Sequence, residues 1–202
     1  MSESLIQTRL PAEQRQAEMV QAVLSLAATQ EPASITTSLI AKQIGLSQGA
    51  VFRHFPTKQA IWLAVAEWLE KQLLGVVQSA IKPQDNPLEN LAAIFQAHVH
   101  FVQTHPGVPR FIFHELQQPA DSAAKQQVAA MLKQYSQILI GLLQQAKAAG
   151  LTPIALNEQQ AALLFIGSLQ GLVMQSMLAS SSISPETAQG TLELYLRAIR
   201  TA

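Results

Sequence analysis

The stretch "SITTSLIAKQIGLSQGAVFRHFPTKQAIWLAV", residues 34–65, decides how the chain is read. Thr36 or Thr37 is placed to cap a short helix that Gly45 ends. Ser47 caps a second short helix running to about Phe55, and Thr57 opens a third, longer one. A helix, a tight glycine turn and a second short helix have helix-turn-helix spacing. Ala41 is small where the two helices must cross. Ile40 and Ile44 on one helix, with Val51 and Phe55 on the next, supply contacts at i, i+4 spacing. The remaining positions of the second helix are Gln48, Gly49, Ala50, Phe52, Arg53 and His54.

Charge sharpens the reading. The chain is neutral, with 13 Lys+Arg against 13 Asp+Glu, yet no acid occurs between Pro32 and Ala66. Lys42, Arg53 and Lys58 leave a local excess of positive charge. A carboxylate here would face phosphates and weaken binding to nucleic acid. Small residues at the start of the second helix let its backbone enter a major groove, where Gln and Arg pair with base edges. Thr36, Thr37 and the helix N-termini, Ser47 among them, offer donors to phosphate oxygens.

With these residues in view, the stretch resembles the DNA-binding signature of the tetracycline-repressor (TetR) family of bacterial transcriptional regulators. The matching pieces are the Thr-opened helix, the Ala-x-x-x-Gly-Leu-Ser turn at Ala41–Ser47, the Gly-Ala-x-Phe-Arg-His-Phe run at Gly49–Phe55, and Thr57-Lys58 opening the next helix. The resemblance implies an all-helical, two-domain homodimer on a near-palindromic operator, released by a small ligand held in the C-terminal domain. It implies groove-facing positions for Gln48, Gly49, Ala50, Arg53 and His54, and phosphate contact for Thr37, Phe52 and Lys58. Phe52 departs from the pattern: the family usually has Tyr there, and Phe has no hydroxyl to donate. His54 has two readings, a phosphate contact or packing beneath its helix.

Beyond this stretch the fold expected is all-α, with about nine helices. Hydrophobic residues make up 49% of the chain and aromatics 5%, a balance that favours helix over sheet. Pro11 opens a first helix to about Thr29. Asn86, Pro87 and Glu89 form a cap, a first-turn proline and a capping-box acid. That helix stops at His105-Pro106, and a short one holds Phe111 to Leu116. Asp121 or Ser122 starts another, ended by Gly150. Asn157 and Ser184-Pro185 start the last two. The division expected is a helix-turn-helix domain over 1–57 and a ligand-binding and dimerisation domain over 58–202, joined by a connecting helix at 58–80. There is no cysteine, so disulfides and thiolate metal sites are excluded. "MSESLIQTRLPAEQRQ" has no apolar segment of the kind a secretory signal needs. The stretch Ala161–Leu178 is nearly long enough to span a bilayer, but Gln170 and Gln175 interrupt it and a buried helix is expected. The chain is expected to be cytoplasmic, with no membrane partner.

The larger domain carries a heavy apolar load. Phe95, His98, Phe101, Val102, Phe111, Met131, Tyr135, Phe165 and Leu169 are candidates to line a mostly apolar cavity, in which His98, Tyr135 and Gln170 orient a small effector. No basic cluster lies among them, so a neutral or aromatic effector is expected. His98, His100, His105 and His114 contain no i, i+4 pair, and neither a metal nor another cofactor is expected. Gly167 and Gly171 form a G-x-x-x-G; with Met174, Leu178, Leu192 and Leu196 they are candidates for a dimer interface. The function expected is a ligand-responsive, DNA-binding regulator, a repressor released by its effector. The alternative is a helical ligand-binding or interaction protein without specific DNA binding. No catalytic constellation stands out, and an enzyme is not expected.

Overall fold

The computed structural model describes residues 11–201; residues 1–10, on which the expectation about a secretory segment largely rests, and residue 202 lie outside the described residues. Among the described residues there are nine α-helices, one 3₁₀ turn and no strand: α1 Ala12–Ala27, the turn Pro32–Ser34, α2 Thr37–Gln43, α3 Gln48–His54, α4 Lys58–Ala80, α5 Pro87–Thr104, α6 Gly107–Leu116, α7 Ala123–Ala148, α8 Glu158–Leu178 and α9 Pro185–Ile199.

The helix starts are where the cap residues put them. The side-chain oxygens of Thr36, Ser47, Thr57, Ser122, Asn157 and Ser184 each accept the backbone N–H three residues on. Asn86 and Glu89 close a reciprocal capping box. Each such cap contributes about 1 kcal/mol. Gly45 ends α2 at φ +68°, in the left-handed region that penalises a Cβ. Leu46 N–H bonds Ala41 O at 2.8 Å and Gly45 N–H bonds Lys42 O at 3.3 Å, the pair of bonds that closes a Schellman turn.

α4 is the axis of the molecule. Its stripe Ile61, Val65, Leu69, Leu73 and Val77 is buried throughout, and it packs against α1, α5 and α7. Glu70 on α4 accepts hydrogen bonds from Gln127 and Gln134 of α7 and so fixes the register of the two helices. One continuous buried core runs from Met19 in α1 to Ile199 in α9.

α6 begins at Gly107, four residues before the start expected at Phe111. Pro109 does not prevent this, because first-turn N–H groups have no helical partner to lose. Gly107 is buried against α1: a Cβ there would lie 1.9 Å from Leu24 O and 2.8 Å from Leu24 C. Backbone meets backbone, so no side chain can swing aside. Gly107→Ala is expected to destabilise the fold by about 2–4 kcal/mol and to lower Tm by roughly 5–15 °C. Thermal melts of both proteins check this; an unchanged Tm would contradict the close approach.

Candidate functional site

Seven residues make α3, and its two faces separate cleanly. At about 100° per residue, Gln48, Gly49, Phe52 and Arg53 share one side, and all four are exposed. Phe52 is a large apolar side chain that is 45% exposed. Ala50 was expected on this face but is 7% exposed, and Val51 beside it is fully buried. The helix rotation turns both toward α1 and α2, so Ala50 belongs to the packing side. His54 lies on the same inner half and is half-buried. Its backbone carbonyl accepts from Gln16 Nε2 at 3.3 Å, which ties the end of α3 to α1.

Thr37 also differs from expectation. It is buried, and its hydroxyl oxygen accepts from Gln48 Nε2 at 2.9 Å, across the helix-turn-helix. Its side chain braces α3 and is not presented outward. Thr36 and Ser47 are exposed. Each uses an oxygen lone pair as a cap, which leaves the hydroxyl proton free to donate. Lys58 is half-buried: Nζ donates to Ala33 O at 3.2 Å and stands 4.5 Å from the centre of the Trp62 ring. Burial pulls its pKa below the usual lysine value. The exposed surface of the helix-turn-helix therefore includes Thr36, Lys42, Ser47, Gln48, Gly49, Phe52 and Arg53, and no residue from Thr36 to His54 is a carboxylate.

The residues expected to line a cavity are brought together, but as packed core. Phe95, Phe101, Phe111, Met131, Tyr135, Phe165 and Leu169 are buried. Phe165 meets Phe95, Tyr135 and Tyr195 edge-to-face, at 5.4, 6.5 and 5.3 Å between ring centres. The side chains fill the space an apolar ligand would take. Of the nine expected residues, Val102 borders a cleft of about 350 Å³. Gln170 is exposed, on the opposite side of α8 from this core. His98 Nδ1 lies 3.1 Å from the Tyr135 hydroxyl, and burial lowers the His98 pKa to about 4 and raises that of Tyr135. A larger cleft, of about 690 Å³, lies elsewhere, where the start of α4 faces the α6–α7 turn. Its residues Trp62, His114 and Glu115 were not expected at a ligand site. The one sequence signal for it is a lone acid at the end of the apolar run Phe111–Leu116.

The expected dimer residues divide. Gly167, Gly171, Met174 and Leu178 are exposed and line one face of α8 together with Leu163 and Leu164. A Cβ on either glycine would meet nothing within 4 Å in its own chain. Leu192 is 2% exposed and belongs to the chain's own core, because α9 turns that side toward α5 and α8. Leu196 is half-buried. α8 is long and apolar enough to cross a membrane by length and composition, yet its most apolar window is only 33% buried. The expectation of a buried helix holds for one side of it only.

With this geometry in hand, comparisons with known proteins bear on it. The family profile described as "Bacterial regulatory proteins, tetR family" matches residues 20–65, and "Tetracyclin repressor-like, C-terminal domain" matches residues 84–174. The chain is 30% identical over 99 residues to the nucleoid occlusion factor SlmA of Vibrio cholerae, covering 48% of this chain and 50% of that one. It is 30% identical over 135 residues to SlmA of Glaesserella parasuis, covering 66% and 67%. The chain spans about half the length of the Vibrio relatives it matches. Among solved structures it resembles a TetR transcription regulator from Haloarcula marismortui, with TM-score 0.81, 16% identity and 94% and 100% coverage of the two chains. It also resembles KstR2 of Mycobacterium tuberculosis (TM-score 0.77, 18% identity, 93% and 96% coverage). A third is FadR of Bacillus subtilis in complex with stearoyl-CoA (0.77, 20%, 91% and 99%). At these identities the three are likenesses of fold.

The half-buried His98, whose ring is desolvated, makes stability depend on pH. Its folded pKa of about 4 lies below the unfolded value near 6.5. Between them the unfolded chain binds more protons, so the contribution is complete above about pH 6.5 and is lost as pH falls toward 4. From pH 7 to 5 the loss is about 2 kcal/mol. Urea unfolding of the parent and of His98→Asn at both pH values checks this: the parent should lose more stability than the variant, and equal losses would refute it.

Proposed function

This chain belongs to the tetracycline-repressor family of bacterial regulatory proteins, and we propose that it is a ligand-responsive, DNA-binding transcriptional regulator, acting as a repressor in the cytoplasm rather than as an enzyme. The observation that carries the reading is the outer face of α3: Gln48, Gly49, Phe52 and Arg53 exposed together on an acid-free surface. Arg53 pairs with a guanine edge and Gln48 with an adenine edge. Phe52 packs on sugar or a thymine methyl. Thr36 and Ser47 donate to phosphates that flank the groove. Residues 1–57 are the reading head and 58–202 the body, with α4 joining them.

One α3 reads only a few base pairs, so a two-fold dimer is required for a long site. The exposed apolar face of α8 supports pairing with a second copy through Gly167, Gly171, Met174 and Leu178. The two heads would then enter successive major grooves ~34 Å apart. An effector that binds the wider head spacing more tightly shifts the population off DNA. The fold neighbours described as a ketosteroid regulator and as a regulator bound to stearoyl-CoA support a small organic effector. The name carried by the curated relatives makes nucleoid occlusion the second reading. DNA binding that no small molecule alters would favour it.

Fluorescence anisotropy against the DNA upstream of the chain's own gene, with a shuffled fragment as control, tests the proposal. Specific binding about 10³-fold tighter than the control is expected. Arg53→Ala should weaken the specific complex by about 1–3 kcal/mol and leave the control unchanged. Equal, salt-labile binding to both fragments would overturn the assignment. Met174→Glu with Leu178→Glu should convert a dimer to monomer in sedimentation velocity, because each charge would have to be buried without a partner. A dimer that survives both charges excludes this face.

A further inference from the structure

The cleft of about 690 Å³ at the start of α4 has walls from three places. Lys58, Gln59 and Trp62 come from α4, Ala33 from the 3₁₀ turn of the head, and His114, Glu115, Gln118, Asp121 and Ser122 from the end of α6 and the turn into α7. Its volume is in the range of small-molecule sites. Glu115 is the unusual member. Its side chain is 1% exposed, Oε2 accepts from Ser122 Oγ at 3.3 Å, and Oε1 has no hydrogen-bond partner at all. A buried polar atom without a partner is destabilising until something supplies one.

The neighbours do not supply it. His114 Nε2 is 3.9 Å from Oε1, beyond hydrogen-bond reach. Lys125 Nζ is committed to Leu116 O at 3.0 Å and Gln118 O at 2.6 Å. Lys58 Nζ is held over the Trp62 ring by Ala33 O. Asp121 is exposed. Burial raises the Glu115 pKa against the smaller opposing effects of His114, Ser122 and Lys125; whatever its charge, Oε1 is an acceptor that lacks a donor.

We infer that this junction cleft is a binding site for a small, uncharged aromatic molecule bearing an amide-like group, whose N–H donates to Glu115 Oε1 while its ring lies against Trp62. A carboxamide N–H supplies the donor that Oε1 lacks without bringing a charge into the cleft. A carboxylate would meet a second acid, and an amidinium would meet Lys58, Lys125 and His114. The proposal deepens the effector reading and rests on it for its consequence: an occupant touches the head at Ala33, α4 and the α6–α7 turn at once. It also gives the effector a place outside the filled apolar core.

Benzamide is the probe, with benzoate and benzamidine as charged controls sharing its ring. In a Trp68→Phe protein, Trp62 is the remaining tryptophan of two, and its fluorescence reports the cleft. Benzamide should change that signal saturably at about millimolar concentration, as befits so small a ligand; benzoate and benzamidine should bind at least about tenfold more weakly. Glu115→Leu should weaken benzamide by about tenfold through loss of its hydrogen bond, while Glu115→Gln, which keeps an acceptor oxygen, should retain it. No saturable change, an equal response to benzamidine or benzoate, or an affinity that Glu115→Leu leaves intact overturns the assignment. Anisotropy on DNA in the same samples separates the two ideas. A benzamide response that depends on Glu115, with no specific DNA binding by any variant, supports the site and overturns the regulator reading alone.

Discussion

The burial of one stripe along α4 is the constraint on which the rest of the structure depends. Ile61, Val65, Leu69, Leu73 and Val77 recur every four residues and are closed over by α1, α5 and α7. Burying five such side chains contributes on the order of 10 kcal/mol before entropy is charged against it. Because the stripe is continuous, the first turn of α4, beside the helix-turn-helix, and its last turn, inside the body, belong to one rigid rod. The Glu70 clasp by Gln127 and Gln134 sets the rod's register on α7. The Gly107 approach to Leu24 locks α6 onto α1. The α6–α7 region and α3 are thus both packed onto α1, and α7 and α1 both onto α4.

Much of this architecture was legible in the sequence because caps are local chemistry. Thr36, Ser47, Thr57, Asn86, Asn157 and Ser184 act within three residues of themselves, so neighbouring letters suffice to place a helix start. The misplaced start of α6 has the same logic in reverse: Pro109 reads as a breaker unless one knows that the helix begins two residues before it. The exposed face of α3 was legible for Gln48, Gly49, Phe52 and Arg53. Ala50 and Thr37 are buried where outward positions were expected, because motif position does not carry rotation about the helix axis. That angle is set by α1 and α2 packing on α3, which is information held far away in the chain.

The body was less legible for a different reason. Phe95, Phe165 and Tyr135 give the same periodic signal whether they line an empty cavity or fill it, since a stripe records which side faces inward and not what occupies the inside. Their edge-to-face packing is a property of three helices jointly. The junction cleft was hidden for the complementary reason: Trp62, Glu115 and Ala33 are distant in sequence, and no periodicity connects them.

α8 carries one further consequence. After Glu158 it has no charged residue through Leu178, and its two faces are both apolar, one against the core and the other bare. With a second copy of the chain covering the bare face, folding and association become linked equilibria, and the melting temperature rises with protein concentration. Copy number in the cell then enters the thermodynamics directly. At low abundance the chain would sit nearer its unfolding threshold and present an apolar strip to proteases and chaperones; as it accumulates, mass action protects it. Turnover of the protein would be governed by how much of it is already there.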